Sequence, residues 1–311
     1  MVRDKKITEC GTLGLKVIPC YNQNMSSIFF ALISLIGWGT GDIFTTSASR
    51  RIGSYNASFY GYFFGFILSS IYIPFALDQI SAYTIPLIAL TIFLSVIQLL
   101  SFLSYNEALK IGNSSLVGTI AGAFTSLVVV LSILFLGERL LPDQLISISV
   151  IIVGLILSSL NLSDLKNKRS IINKGTTLAL VAMIGWGIYF TFIKVPIEKA
   201  GFFWPTYTTA MVGTLSFLII GLRRIKFPTL GYKDGFLATF LSGLLLTVGS
   251  FGFNIGLSKG LASIVAPIAG AYPALFALLS SIIFRDPITK QQKIGMIITL
   301  VGIVLLAYFS K

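Results

Sequence analysis

The chain has no histidine, only two cysteines and few charges: Asp, Glu, Lys and Arg make up 11% of its 311 residues. A soluble domain carries about 25% charged residues. Without histidine there is no Ser-His-Asp triad, no His-ligated zinc and no imidazole proton shuttle. Two cysteines exclude a disulfide scaffold. No GxxxxGK[ST] loop occurs, so ATP does not drive the protein directly. No metal or cofactor is expected. What fills the chain instead is apolar: 55% hydrophobic residues and a mean hydropathy of +0.90.

The charges cluster, and long runs without Asp, Glu, Lys or Arg lie between them. Spanning a hydrocarbon core of about 30 Å takes about 20 helical residues. The runs predict ten transmembrane helices, near 26–47, 57–76, 86–107, 114–136, 143–161, 175–194, 204–222, 236–257, 262–284 and 290–309. Stretches such as SLVVVLSILFL are apolar on every face, which excludes the alternating strands of a β-barrel. The net charge of +12 resides at helix ends and in loops, where headgroups lie. It points to the lipid bilayer as partner, not to nucleic acid. The expected location is a multi-pass position in the plasma membrane. The segment 1–25 has no apolar signal-peptide core and holds Cys10 and Cys20. It reads as a mobile tail, or as the product of an upstream start, because Met25 immediately precedes the first span.

One register of 148 residues repeats through the chain. Gly37-Trp38-Gly39 recurs as Gly185-Trp186-Gly187, and Asn106, Leu109 and Gly112 recur as Asn254, Leu257 and Gly260. Ile120-Ala121-Gly122-Ala123 recurs as Ile268-Ala269-Gly270-Ala271, and Glu138 aligns with Asp286. Each unit, 26–161 and 174–311, holds five helices, and 162–173 links them. Five is odd, so the second unit enters the membrane upside down. Inverted repeats of this kind place a solute site near the midplane, where the halves meet.

The fourth-to-fifth span region, SSLVGTIAGAFTSLVVVLSILFLGERLLPDQLISISVIIVGLIL, and its ninth-to-tenth counterpart, ASIVAPIAGAYPALFALLSSIIFRDPITKQQKIGMIITLVGIVLL, resemble the EamA-type domain of the drug/metabolite transporter superfamily. The second half departs in its turn, Arg285-Asp286-Pro287 against Gly137-Glu138-Arg139. The first half departs in having Thr125 opposite Pro273 and Ser147 opposite Gly295. The resemblance implies an all-α bundle of ten helices with a central cavity lined by the first four helices of each repeat. It implies export or exchange of small organic solutes such as amino acids, drugs, sugars or nucleotide-linked metabolites. Alternating access follows from the inverted repeat; a non-transporting sensor or assembly partner is the other reading. An intramembrane enzyme is disfavoured by the missing histidine and by the lack of a clustered polar triad. Protons as coupling ions, and monomer against homodimer, stay open.

Candidate site residues are the polar and aromatic ones in these apolar spans. Asp42 is the one carboxylate well inside a span, a functional candidate by default and the coupling candidate. Its repeat partner is Phe190, and the alternative reading places it within reach of Arg50 and Arg51. Trp38 lies one turn earlier on the same face; Trp186 is its partner and Tyr189 follows. The third span carries Gln98, Ser101 and Tyr105, and the eighth carries Gly243, Thr247, Ser250 and Asn254. The seventh adds Thr206, Thr209, Gly213 and Ser216. Such stripes either line a cavity or join helices. Gln98 faces Leu246 in the repeat register, which favours a solute role, whereas Asn106 and Asn254 are shared. Pro267 and Pro273 are candidate hinges. Gly118 with Gly122, and Ala266 with Gly270, read as close-packing positions in the fourth and ninth spans. Glu138 is expected to cap a helix or pair with Arg139.

Placing the N-terminus in the cytoplasm assigns nine of the 23 basic residues to that side and fourteen to the other. The positive-inside rule favours the opposite orientation, whereas the resemblance implies cytoplasmic termini. A reporter active only outside the cytoplasm, fused after Lys311, is expected to stay silent; activity would reverse the orientation.

Overall fold

The structure is a computed structural model describing residues 20–111, 114–159, 174–222, 233–285 and 288–310. The tail before Cys20, the linker 162–173 and Asp286 lie outside the described residues. Among those described, all regular structure is helical. The first repeat contains α1 (Cys20–Ile52), α2 (Ser54–Ser70), α3 (Ile85–Ile111), α4 (Ser114–Gly122), α5 (Phe124–Phe135) and α6 (Pro142–Ser159). The second contains α7 (Lys174–Phe192), α8 (Lys194–Ala200), α9 (Phe203–Gly221), α10 (Lys233–Lys259), α11 (Ala262–Ala269), α12 (Tyr272–Ile283) and α13 (Lys290–Phe309). The pairs α4–α5, α7–α8 and α11–α12 each make one span. Nine spans among the described residues are long and apolar enough to cross a membrane. The tenth, α2, has 17 residues, or about 26 Å of helix.

The second span stops at Ser70, earlier than its apolar run suggests. Pro74 lacks an N–H, and its ring would meet the carbonyl four residues back. Two short 3-10 helices, Ile73–Phe75 and Leu77–Ala82, follow instead. Exposed Phe29, Leu134, Ile219, Ile282, Leu300 and Val304 give the bundle an apolar exterior. In lipid such a surface needs no cover, while backbone polar groups must be bonded within the helices.

Contacts between the repeats obey the 148-residue register. The α1–α10 packing is mirrored by α3–α7, α2–α10 by α3–α9, and α1–α12 by α5–α7. The fifth and tenth spans, α6 and α13, pack on each other at the periphery. The mirroring reaches single residues. A Cβ on Gly37 would stand 2.7 Å from the Cα of Gly249, and one on Gly185 would meet Ser101, the repeat equivalent of Gly249. Gly39 faces Leu275 as Gly187 faces Leu127. These glycines bring two helix backbones together.

The mirroring fails where the broken fourth and ninth spans meet. At the face carrying the start of α1, here the terminal face, α5 packs along α11. The mirror pair at the opposite, linker face is α4 with α12, and it has no comparable packing. The halves are closed at the terminal face and apart at the linker face.

The fourth and ninth spans break at equivalent points. Ala123 and Ala271 each have ψ near −2°. Their N–H groups donate to Ile120 and Ile268 carbonyls at 3.2 Å, the tighter i→i+3 pattern. Pro267 sits inside α11 and Pro273 in the first turn of α12. The fourth span breaks without a proline, so the shared Ile-Ala-Gly-Ala sequence, not proline alone, marks the break. Gly118 and Gly122 correct the expectation of close packing: a Cβ on either would meet nothing within 4 Å. Gly270 does make a close approach, to Thr125.

Gly37→Val is expected to lower stability by about 1–3 kcal/mol or more, since backbone cannot yield to the added methyls. Gly118→Ala is expected to be neutral. Thermal unfolding of the detergent-purified protein checks both; equal midpoints for the two variants would contradict the assigned contacts.

Candidate functional site

A cavity of about 260 Å³ lies between the repeats. This is near the lower end of the roughly 300–1,000 Å³ of small-molecule sites. Its lining comes from α1, α2, α3, α5, α7, α9, α10 and α12, thus from the first four spans of each repeat. The peripheral α6 and α13 contribute nothing to it.

Two tryptophans frame the cavity in equivalent settings. Trp38 stacks on Phe253 at 5.4 Å and meets Tyr272 edge-on at 5.7 Å. Trp186 packs on Tyr105 at 5.2 Å and on Phe124 at 5.9 Å, the repeat equivalents of those two rings. Symmetry ends at the next neighbour. Trp38 has Phe190 at 5.8 Å, and the position equivalent to Phe190 is Asp42. Only one half of the site thus carries a carboxylate.

Hydroxyl and amide groups tie the walls together. Trp38 Nε1 donates to Ser250 Oγ at 3.4 Å, and Thr45 and Ser242 share a hydrogen bond of 2.6 Å. Asn254 Nδ2 donates to Thr206 Oγ1, and Tyr189 OH to Thr209 Oγ1 at 3.5 Å. Thr247 is satisfied by the Gly243 carbonyl of its own helix. Several lining polar groups remain unspent, among them one carboxylate and one amide. Neither the Asp42 carboxylate nor the Gln98 amide bonds a described residue, and both line the cavity. Arg50 is not a partner for Asp42: its guanidinium lies over the Phe284 ring at 4.4 Å.

The structure thus brings Trp38, Asp42, Gln98, Trp186, Tyr189, Thr247, Ser250 and Asn254 onto one cavity. Ser101 and Tyr105 do not join them. Ser101 is buried against Gly185 and bonds the Ile97 carbonyl, and Tyr105 packs behind Trp186. Helical spacing put them near Gln98, but the close α3–α7 approach turns that edge of the stripe into a helix contact. Asn254 caps no helix end; it faces the cavity. The second span, unassigned from sequence, supplies Ser58, Gly61, Tyr62, Gly65 and Ser69. Ala57, Gly61, Gly65 and Ser69 recur every four residues, a small-residue face that was the available signal.

Below the cavity, at the terminal face, sits a buried ion pair. Gly137, at φ 67°, turns the chain after α5 and presents Glu138. Its Oε1 accepts from Lys194 Nζ at 2.7 Å and from the Ala262 N–H at 2.7 Å. Its Oε2 accepts from the N–H and hydroxyl of Ser263. Lys194 Nζ also donates to the Gly260 carbonyl at 2.9 Å. Glu138 therefore caps α11, which has no side-chain cap of its own. The sequence expectation of a cap holds, but the charge partner is Lys194; Arg139 is exposed. Lys194 was legible only as a membrane-flanking cation. Its repeat equivalent is Thr46, which bonds the Asp42 carbonyl within its own helix.

The model of the EamA-like transporter family matches residues 25–160 and again 173–308. The chain belongs to that family. It is a multi-pass integral membrane protein. An uncharacterized protein of Methanocaldococcus jannaschii is 32% identical over 132 residues, covering 42% of this chain and 93% of that relative. That relative is therefore about one repeat long. The uncharacterized transporter YvbV of Bacillus subtilis is 24% identical over 200 residues, covering 61% of this chain and 64% of YvbV. A solved crystal structure superimposes with a TM-score of 0.75 over 92% of this chain and 97% of its own, at 13% identity, which shows the shared fold.

Lys194→Met strands a buried carboxylate and is expected to cost about 3–5 kcal/mol. The Glu138→Gln/Lys194→Met pair should lose clearly less than the two single changes together. A double-mutant cycle of thermal unfolding measures the coupling; additive losses would mean the pair is not coupled.

Proposed function

We propose that the protein is a secondary transporter that carries a small organic solute by alternating access, as exchanger, facilitator or proton-coupled carrier. The reading rests on one observation above others. The cavity lies between inverted repeats that pack together at one face and stand apart at the other. Exchanging the roles of the two halves would close the open face and open the closed one. Trp38, Asp42, Gln98, Trp186, Tyr189, Thr247, Ser250 and Asn254 are the proposed solute contacts. The broken helices around Gly122 and Gly270 are the proposed hinges, with Pro267 and Pro273 stiffening the second.

The ion pair fits this cycle as a latch on the terminal face. It joins α5 of one repeat to α11 and α8 of the other. Moving to the alternate state means parting Glu138 from the start of α11. The repeat equivalent of Lys194 is Thr46, so that position offers no lysine toward the linker face, and the two states need not be equally stable. If protons are coupled to transport, Asp42 is the carrier.

Counterflow in proteoliposomes is the direct test. At least one labelled solute from a panel of amino acids, sugars and small amines is expected to exchange, and Trp186→Ala to slow that exchange at least tenfold. Failure across the whole panel would favour a sensor or assembly role. For a proton-coupled solute, Asp42→Asn should flatten the pH profile; an unchanged profile would leave exchange or facilitation.

A further inference from the structure

We propose that the solute is a small organic cation with an apolar body, its charge held between the Asp42 carboxylate and the surrounding rings. The proposal rests on the transport reading and names the substrate class of the same cavity. Among the described residues, Asp42 supplies the one carboxyl group in the cavity lining. Among the described residues no lysine or arginine lines the cavity, so a carboxylate or phosphate solute would meet repulsion without compensation. The cations elsewhere among the described residues do not answer Asp42: Lys194 is committed to Glu138 and Arg50 to the Phe284 ring.

A carboxylate within a membrane span and without a partner among the described residues is costly, and a cation is the group that relieves it. The rings add to the same preference. Tyr272 lines the same cavity as Asp42. Trp38 connects Tyr272 to Phe190, and Phe124 packs on Phe190 at 5.0 Å. Ring faces carry negative potential and attract cations, above all when the site is dry. One carboxylate beside several ring faces suits an ammonium head that is only partly able to donate hydrogen bonds. Gln98, Ser250 and Asn254 remain to orient the body. The cavity volume limits that body to about the size of one aromatic ring with a short chain.

The test compares benzyltrimethylammonium, phenylalanine and phenylacetate in counterflow with the full-length protein in liposomes. The expected result is exchange of benzyltrimethylammonium at least tenfold faster than of phenylacetate. Asp42→Asn, with its thermal midpoint unchanged, should cut cation exchange at least tenfold. Asp42→Glu, which keeps the charge, should restore part of it. Exchange of phenylalanine or phenylacetate without the cation would overturn the substrate class and leave transport standing. Cation exchange indifferent to Asp42→Asn would overturn the role of the carboxylate. Movement of none of the three, nor of any solute in the wider panel, would remove the transport reading and the substrate class with it.

Discussion

The architecture depends on two places where helix backbones nearly touch. Gly37 lies against Gly249 and Gly185 against Ser101, joining α1 to α10 and α3 to α7. Lipid gives no hydrophobic drive for helices to associate, so close packing and interhelical hydrogen bonds must supply it. A bare glycine surface supplies the packing at both points. The tryptophan after each first glycine then has only one direction left, toward the midplane. Trp38 and Trp186 face the cavity because the residues beside them cannot leave the seam. The frame of rings is a by-product of how the two halves are joined.

Within that symmetrical frame, the departures from symmetry carry the chemistry. The seams, the breaks at Ala123 and Ala271 and two ring neighbours of each tryptophan repeat. Position 42 against 190, 46 against 194, and 98 against 246 do not. The first difference leaves the cavity a single carboxyl group among the described residues, and the second puts the buried Lys194–Glu138 pair at the terminal face. The third leaves one amide without an intramolecular partner. A scaffold that is two-fold in its packing and one-fold in its polar groups can reverse its shape without reversing its preferences.

Most of the fold was legible in the sequence, because membrane spans advertise themselves through length and lack of charge. The repeat register gave the inverted pairing with no structural knowledge. The polar residues Asp42, Gln98, Ser250 and Asn254 stood out for the same reason: lipid tolerates few of them. Legibility failed where one residue type serves two ends. Ser101 and Ser250 look alike in a helical stripe, yet one fills a helix seam and the other accepts from Trp38. Lys194 looked like any flanking lysine, because its carboxylate lies 56 residues away in the other repeat. The face of α2 was hidden because small residues signal packing at least as often as they signal a cavity. Pro267 and Pro273 signal a hinge in the ninth span, but the equivalent break at Ala123 carries no such signal because no proline lies near it.

Positions 42 and 190 occupy one structural address, used twice. An assembly of two identical five-helix units could fill that address only in duplicate. Two carboxylates would then share one dry chamber and repel each other, or two phenyl rings would leave it without charge. Fusing the units into a single chain removes the obligation. It lets the chain keep a monovalent pocket inside a divalent scaffold, with a carboxyl group on one wall and a phenyl ring at the equivalent place on the other.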